Sequence, residues 1–458
     1  MSRAVRLSSM ANCFQGVIPA VVATCDAQGI PNVTLVSQVH LVDDRHVALS
    51  RQFFNKTVKN LAENPRACVQ VYEPVSFDAY GLQLRHERTE TTGPLFERMA
   101  MRIQAIASHT GMKGVFRLIG ADVFEVISAE KVQGFHDPRP AVVEVPLQGP
   151  RTELRGLQVV AQRIAAASDL SALIDGVLEA LDSFFKFHHT AALLHDEHRG
   201  YLVTLASRGY GGEGVGAEVA VGDGLFGTVA HARRALRISG LDEGLSYGRA
   251  VRRQVISSGA RAAPEIPLPG LPDARSALVM PLVARDRLVG VLAAESRDPL
   301  AFDEWDEGYL EVVAHQIAVG LDAIQERALK EESQEPMQPA RADPVLRTGR
   351  RHSFTLYRND DCIFADGEYL IRNVPAKILW KVLGQCVREG RTQFSNRELR
   401  LDPALGLPSP RDNLESRLML LRKRLEQKCP DVRLVPAGRG RFSLQIQGPI
   451  ELSERDSS

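Results

Sequence analysis

Several ordinary signatures are missing from this 458-residue chain. It has no net charge, with 56 Lys+Arg against 56 Asp+Glu, which excludes a wholly basic nucleic-acid coat and an acidic solvating tail. Its six cysteines are Cys13, Cys25, Cys68, Cys362, Cys386 and Cys429. No two stand in a CxxC, so zinc-finger and thioredoxin motifs are absent, and the thiols read as cytosolic. The longest apolar stretch near the N-terminus, Val17 to Ala23, falls far short of the ~20 residues a membrane span needs, and no signal-peptide core precedes it. The expectation is a soluble cytoplasmic protein with no membrane contact. What remains is ordinary globular composition, 44% hydrophobic and 24% charged, in a chain long enough for two to four domains.

Charge is unevenly placed along that chain. Residues Val345–Gln447 hold 20 Lys+Arg and 11 Asp+Glu, a balance of +9, while residues 1–344 carry −7 and the last eleven −2. A neutral whole therefore contains a basic C-terminal module. A Pro-rich stretch around Asp137–Pro150 and a polar one at Glu331–Arg350 read as linkers. The expected fold class is multidomain α+β: residues 1–137, a linker at 138–152, a second domain at 153–328, a linker at 329–349, a third domain at 350–447, and a tail at 448–458.

The first domain reads as many short strands with helices at Asn55–Asn64 and Pro94–Ser108, a pattern of small barrels. Where a strand ends and a helix begins near Asn55, free N–H groups, the helix dipole and Lys56 suit an anion such as phosphate. The runs GIPNVTLVSQVHLVDDRHVALSRQFFNKTVKNLAENPRACVQVY and RTETTGPLFERMAMRIQAIASHTGMKGVFRLIGADVFEV resemble the FMN-binding split barrels related to pyridoxamine 5′-phosphate oxidase, over roughly residues 10–135. The resemblance implies FMN, its phosphate held at Asn55, Lys56 and Thr57 and its ring lined by Ser37, Gln38, Ser50, Arg51 and Gln52. The oxidases have an Arg-Lys pair where this chain has Lys56-Thr57, and a further phosphate-binding Lys where it offers His40. Related barrels hold haem or a deazaflavin, or stay empty. Such barrels usually dimerise, which implies a homodimer.

The second domain opens with two helices and continues with two hairpins around a glycine-rich segment. Gly222, Gly224 and Gly227 form G-x-G-x-x-G, a dinucleotide fingerprint when βαβ units surround it; here hairpins do. VGDGLFGTVAHARRALRI, SALVMPLVARDRLVGVLAAES and FDEWDEGYLEVVAHQIAVGLDAI instead resemble the GAF sensor fold over about residues 153–328. That implies a small-molecule effector or a dimerisation role. Gly244-Leu-Ser-Tyr-Gly248 matches G-x-S-x-G, but the polar loop expected before it does not suit a nucleophile elbow. His195-Asp-Glu-His198 reads as a solvated hairpin turn, with no metal site expected. Helix Glu304–Glu326 carries Leu310, Val313, Ile317, Leu321 and Ile324 on one stripe, for a dimer seam or for plain core packing.

In the third domain, a helix over Pro375–Glu389 is followed by a second, opened by the capping box Ser395-Asn-Arg-Glu398. A third carries a buried seam of Leu414, Leu418, Leu421 and Leu425, with Asn413, Arg417, Leu420 and Arg424 on a neighbouring stripe. A hairpin follows, with Gly438-Arg-Gly-Arg441 at its tip. This order is that of a winged helix. LESRLMLLRKRLE and the glycine-bearing wing are similar to the OmpR/PhoB-type DNA-binding effectors, over about residues 350–447. The resemblance implies double-stranded DNA as partner, contacted by Arg411, Asn413, Arg417, Leu420, Arg424, Arg439 and Arg441. Typical members carry polar or basic residues where this chain has Met419 and Leu420. No paired acid and base or activated nucleophile marks a catalytic site. The reading is a one-component transcription regulator, with an FMN-dependent oxidoreductase as the alternative.

Overall fold

A computed structural model describes residues 6–16, 18–52, 55–134, 152–210, 214–257, 270–334, 349–358, 360–405, 407, 414–438 and 440–455. A 3-10 turn, Leu7–Phe14, precedes β1 (Ala20–Cys25), β2 (Pro31–Val36), β3 (Val39–Leu41) and β4 (His46–Arg51). Next come α1 (Asn55–Glu63), β5 (Arg66–Tyr72), β6 (Ala79–Glu90), α2 (Pro94–His109) and β7 (Gly120–Lys131). The turn between β1 and β2 is made by Asp26, whose Oδ1 accepts from the amides of Gln28 (3.0 Å) and Ile30 (2.8 Å), with Gly29 at a φ of 82°. The seven strands form one sheet ordered β2-β1-β5-β6-β7-β4-β3. Its two edge strands are consecutive in sequence, separated by Ser37 and Gln38 alone, so the sheet must curl until its edges face one another. One side encloses Val22, Val47, Val69 and Leu82; the other packs Ala48 and Val123 beneath Met99 and Ile103 of α2.

The middle domain runs α3 (Thr152–Ala166), α4 (Leu170–Phe185), β8 (His189–Asp196), β9 (Tyr201–Arg208), β10 (Glu218–Ala220), α5 (Gly224–Ala232) and β11 (Leu236–Ile238). It ends with α6 (Leu241–Ser257), β12 (Ser276–Ala284), β13 (Arg287–Ser296) and α7 (Glu304–Gln334). Asp169 caps α4 through the amide of Ala172, 2.9 Å away. The six strands, ordered β10-β9-β8-β13-β12-β11, pair antiparallel throughout. Helices α3, α4 and α7 cover one face. On α7, Leu310, Val313, Ile317 and Leu321 are all buried in that core, so the expected stripe packs on its own sheet. Residues of α5 and α6 cover the other face, together with Met101 and Ala105 of α2. Helix α2 is thus buried on two sides, against its own barrel and against the middle domain.

The C-terminal domain contains β14 (His352–Tyr357), β15 (Cys362–Ala365), β16 (Glu368–Arg372), α8 (Asn373–Glu389), β17 (Gln393–Ser395) and α9 (Asn396–Arg400). After these come α10 (Leu414–Lys428), β18 (Val432–Pro436), β19 (Arg441–Ile446) and β20 (Ile450–Arg455). The capping box at Ser395 and Glu398 forms, and Leu414, Leu418, Leu421 and Leu425 are all fully buried. Two expectations need correction. Residues 450–455 are not a tail: they pair in parallel with β14 and complete the sheet β16-β15-β14-β20. Gly244 to Gly248 follows no loop but lies within α6.

Among the described residues, no helix is long and apolar enough to cross a membrane.

Candidate functional site

Chemistry-bearing side chains come together at the barrel seam, on the inner face of the middle sheet and along the stripe of α10.

At the seam, the chain bends through Ser37 and Gln38. Ser37 Oγ lies 3.3 Å from Ser50 Oγ and accepts from Gln52 Nε2 at 3.1 Å. Ser50, Gln52 and Gln38 are buried, and Gln38 Oε1 has no hydrogen-bond partner. Arg51 turns away towards Asp122 (3.7 Å) and lies over Gly120. Asn55 is the first residue of α1; Lys56 on that helix is exposed, and buried Thr57 accepts from Asn32 Nδ2 at 3.0 Å. The structure therefore gathers Ser37, Gln38, Ser50 and Gln52, and sets Arg51 apart from them.

His40, expected to stand in for a phosphate-binding lysine, does not carry that charge. Burial, reinforced by Arg98, Arg102 and Arg237, pulls its pKa down to about 4, so it is neutral near pH 7. Arg102 donates to Ser239 O at 2.9 Å; loss of solvent and nearby Arg237 bring its pKa down to about 10.

The space at the seam is small. A cavity of about 70 Å³ lies between Ser37, Gln38 and Gln52 on the barrel and Gly244, Tyr247 and Gly248 of α6. Small-molecule sites run to roughly 300–1,000 Å³. The orphan amide oxygen and the helix N-terminus suit a flavin in chemistry, but with α6 seated here the residues do not fit one in space.

On the inner face of the middle sheet, Glu295 was not picked out from sequence. It is 1% exposed. Its Oε2 accepts from Tyr210 Oη at 2.7 Å and from the amide of Leu271 at 2.8 Å, while Oε1 has no partner. Burial pushes the Glu295 carboxyl up, against those two hydrogen bonds, and burial beside Glu295 pushes the Tyr210 hydroxyl up too. Thr204 Oγ1 and Ser207 Oγ are likewise buried without partners, and strand pairing places them opposite Leu193 and Ala191 on the same face. A carboxyl ending the apolar run LVGVLAAES was the available signal.

The glycine triplet has a steric explanation. Gly222 and Gly224 have φ of 92° and 60°, and a Cβ on Gly227 would stand 2.2 Å from Ala220 O. Gly222 N–H donates to Gly227 O at 2.7 Å. The pattern makes the tight turn from β10 into α5, with no βαβ crossover.

The cationic stripe of α10 faces the middle domain. Arg417 is only 8% exposed and pairs with Asp196 at 3.4 Å. Lys423 pairs with Asp175 of α4 at 2.7 Å. Leu420 and Met419 are buried, Leu420 against Gly216. Arg424 donates to Leu370 O at 2.9 Å. Nearby, Arg372 pairs with Glu218 at 2.7 Å. Arg441 begins β19, whereas Arg411, Asn413 and Arg439 lie outside the described residues. The turn expected to be solvated is so in its second half, where Glu197 and His198 are exposed; Asp196 instead ends β8 and is taken up by Arg417, and His195 is half-buried.

Two family models match the chain, neither over half its length. One, described as pyridoxamine 5′-phosphate oxidase, covers residues 9–132. The other, the GAF domain, covers residues 169–321. The N-terminal domain is therefore of the pyridoxamine 5′-phosphate oxidase-like type and the middle domain is a GAF domain. No curated protein matches the chain. Among solved structures, the GAF domain of a phosphoenolpyruvate-protein phosphotransferase from Acinetobacter is 19% identical; 39% of this chain and 98% of that one are covered, at a TM-score of 0.31. A free methionine-R-sulfoxide reductase from Neisseria meningitidis, in complex with its substrate, is 20% identical over 39% of this chain and 95% of that one, with a TM-score of 0.32. An FMN-binding protein from Syntrophomonas wolfei is 20% identical over 28% and 87%, with a TM-score of 0.24.

Proposed function

We propose that this chain is a one-component transcription regulator. Its split-barrel and GAF domains sense a small molecule or a redox state, and its C-terminal domain binds double-stranded DNA as a winged helix. The observation that carries the reading is the basic 345–447 segment, in which α8, α9 and the cationic α10 precede the hairpin β18–β19. In this reading Arg417, Leu420 and Arg424 enter the major groove, and Arg411 and Asn413, which precede α10 in sequence, join the same contact. Arg439 and Arg441 at the hairpin tip meet phosphates or the minor groove. A homodimer presents two such helices to paired half-sites. Because α10 is docked on the GAF domain, DNA must draw it away, and effector binding upstream sets how readily it leaves.

The test is fluorescence anisotropy of the full chain with a pool of random duplexes, at about 50 mM and about 200 mM salt. Arg439→Ala and Arg441→Ala are each expected to weaken binding and to lower the salt slope by about one. Absence of affinity at low salt, both in the wild type and in an Asp175→Asn, Asp196→Asn double variant with loosened docking, would reject the DNA reading.

A flavin-dependent oxidoreductase is the second reading, favoured by the match over residues 9–132 and by the unpartnered Gln38 carbonyl. Bound FMN would supply hydride chemistry, with Ser37, Gln38 and Gln52 along its ring and Lys56 and Thr57 at its phosphate. It requires α6 to move off the seam. FMN fluorescence quenched by the full chain, followed by multiple turnovers of NADH oxidation, would support it; unquenched FMN sinks it.

A further inference from the structure

We infer that α3 and α7 of the GAF domain form one face that takes a second copy of this chain, with α3 of each protomer lying in parallel on α7 of its partner. This gives the homodimer of the reading above its seam, and it stands whether or not the chain binds DNA.

Helix α7 is apolar on two sides. Leu310, Val313, Ile317 and Leu321 face the core of their own domain. Trp305, Val312 and Val319 recur every seventh residue on the opposite side, and Trp305 and Val319 are 75% and 65% exposed. Ala323 continues the same ridge and is exposed too. A surface helix ordinarily turns a polar face to water, and one that is apolar on both sides is covered in the working assembly. A repeat of seven keeps such a ridge aligned along a neighbouring helix.

Helix α3 widens this surface. A Cβ added to Gly320 of α7 would stand 2.7 Å from Ile164 of α3. Gly156, near the start of α3, lies against Phe185, whose ring centroid is 5.8 Å from that of Tyr309. The two helices therefore run side by side in the same direction. Outward from that contact α3 presents Leu154, which is 70% exposed, followed by exposed Ala161 and Ala165. Ala165 stands level with Val319, since their neighbours Ile164 and Gly320 touch.

The face complements itself in one orientation. Its α7 row is bulky, and its α3 row is small beyond Leu154. A two-fold axis along the helices lays each row on the other, so that Val312 and Val319 meet the alanines of the partner's α3. An axis across the helices would set bulky on bulky and leave the small rows apart. Charge selects the same orientation. The flank of α7 away from α3 carries exposed Glu304 and Glu311, and α3 carries exposed Arg155 at its Tyr309 end. With the axis along the helices, Arg155 of one protomer comes beside Glu311 of the other; with the axis across them, it lies at the far end of the seam.

The test is sedimentation of the full chain across a concentration series. The wild type is expected to be a dimer. Val312→Glu together with Val319→Glu, both at exposed positions, should weaken it about a hundredfold or more, because each dimer would then bury unpaired charges. Arg155→Glu should weaken it by about tenfold, and adding Glu311→Arg should restore it. An unchanged thermal midpoint of the monomer would show that the variants fold. A monomeric wild type would overturn the proposal. So would a dimer that ignores both valine substitutions, although that result would leave the homodimer itself standing with its seam elsewhere. Weakening by Arg155→Glu without rescue by Glu311→Arg would overturn the parallel arrangement.

Discussion

The two joints of this molecule differ in what dominates them. Between the barrel and the GAF domain, α2 and α6 fit by shape. Gly244 and Gly248 of α6 admit Ile106 and Thr110 so closely that added Cβ atoms would stand 3.3 and 2.9 Å from them. Its inner polar links end on neutral acceptors, Arg102 on Ser239 O, Arg252 on Thr110 O at 2.7 Å and Ser239 Oγ on Gln15 Oε1 at 2.6 Å, and two ion pairs, Lys113–Asp223 at 2.7 Å and Arg234–Glu97 at 2.5 Å, lie at its margin. Among the described residues the cavity at this joint is about 70 Å³. Between the GAF and C-terminal domains, ion pairs bridge a cleft of about 420 Å³, and two of their members, Asp175 and Arg372, are half exposed. A joint fitted by shape holds or breaks as a unit. One held partly by half-exposed charge is graded in that part, sensitive to salt and to competing ions.

Acid gives the sharpest way to separate them. The folded pKa of His40, about 4, is depressed from the ordinary 6.5. Between those values the unfolded chain binds a proton that the folded one refuses. The stability this group contributes is therefore full above pH 6.5 and lost as pH falls towards 4, by up to about 3 kcal/mol. Acidification should release the barrel first, seen as faster amide exchange in α2, and His40→Gln should blunt the loss. If α10 exchanges first instead, the contrast between the joints is wrong.

Gly248→Val comes next. Thr110 is fully buried and cannot give way, so overpacking should cost about 1–3 kcal/mol, read as a lowered thermal midpoint with α10 protection unchanged. The smallest effects belong to the other joint. Asp175→Asn, at the half-exposed pair with Lys423, should weaken docking by about 0.2–1 kcal/mol, measured as faster exchange in residues 414–428. Salt should reproduce that effect in the wild type and change the exchange of the buried half of α2, around Ile103 and Ala107, far less.

Sequence showed best what is decided locally. Alternation marks β5, where buried and half-exposed residues interleave. The capping box sits where Ser395 and Glu398 put it, and the leucine seam of α10 is buried as its spacing requires. Helix α6 was obscure because LDEGLSYGRAVRRQVIS is polar and glycine-bearing, and the surface that makes sense of those glycines belongs to α2, more than a hundred residues earlier. Strand β20 was obscure for a similar reason: its side chains are largely exposed and its register is set by β14. At the seam, the resemblance to the split barrels named Ser37, Ser50 and Gln52, which the fold brings together; the helix lying across them could not be read. Asp196 looked like a solvated turn residue because its partner, Arg417, is 221 positions away.

The placement of Asp175 and Asp196 opposite Lys423 and Arg417 has one more consequence. Any polyanion arriving from solution must displace carboxylates that the chain itself presents to the same cations. Tethering sets the concentration of such an internal competitor on the order of millimolar. The dissociation constant measured for the newcomer is then the intrinsic one divided by the fraction of molecules with α10 free. A modest change in that fraction becomes an equal change in apparent affinity, without any alteration to the residues that make the contact.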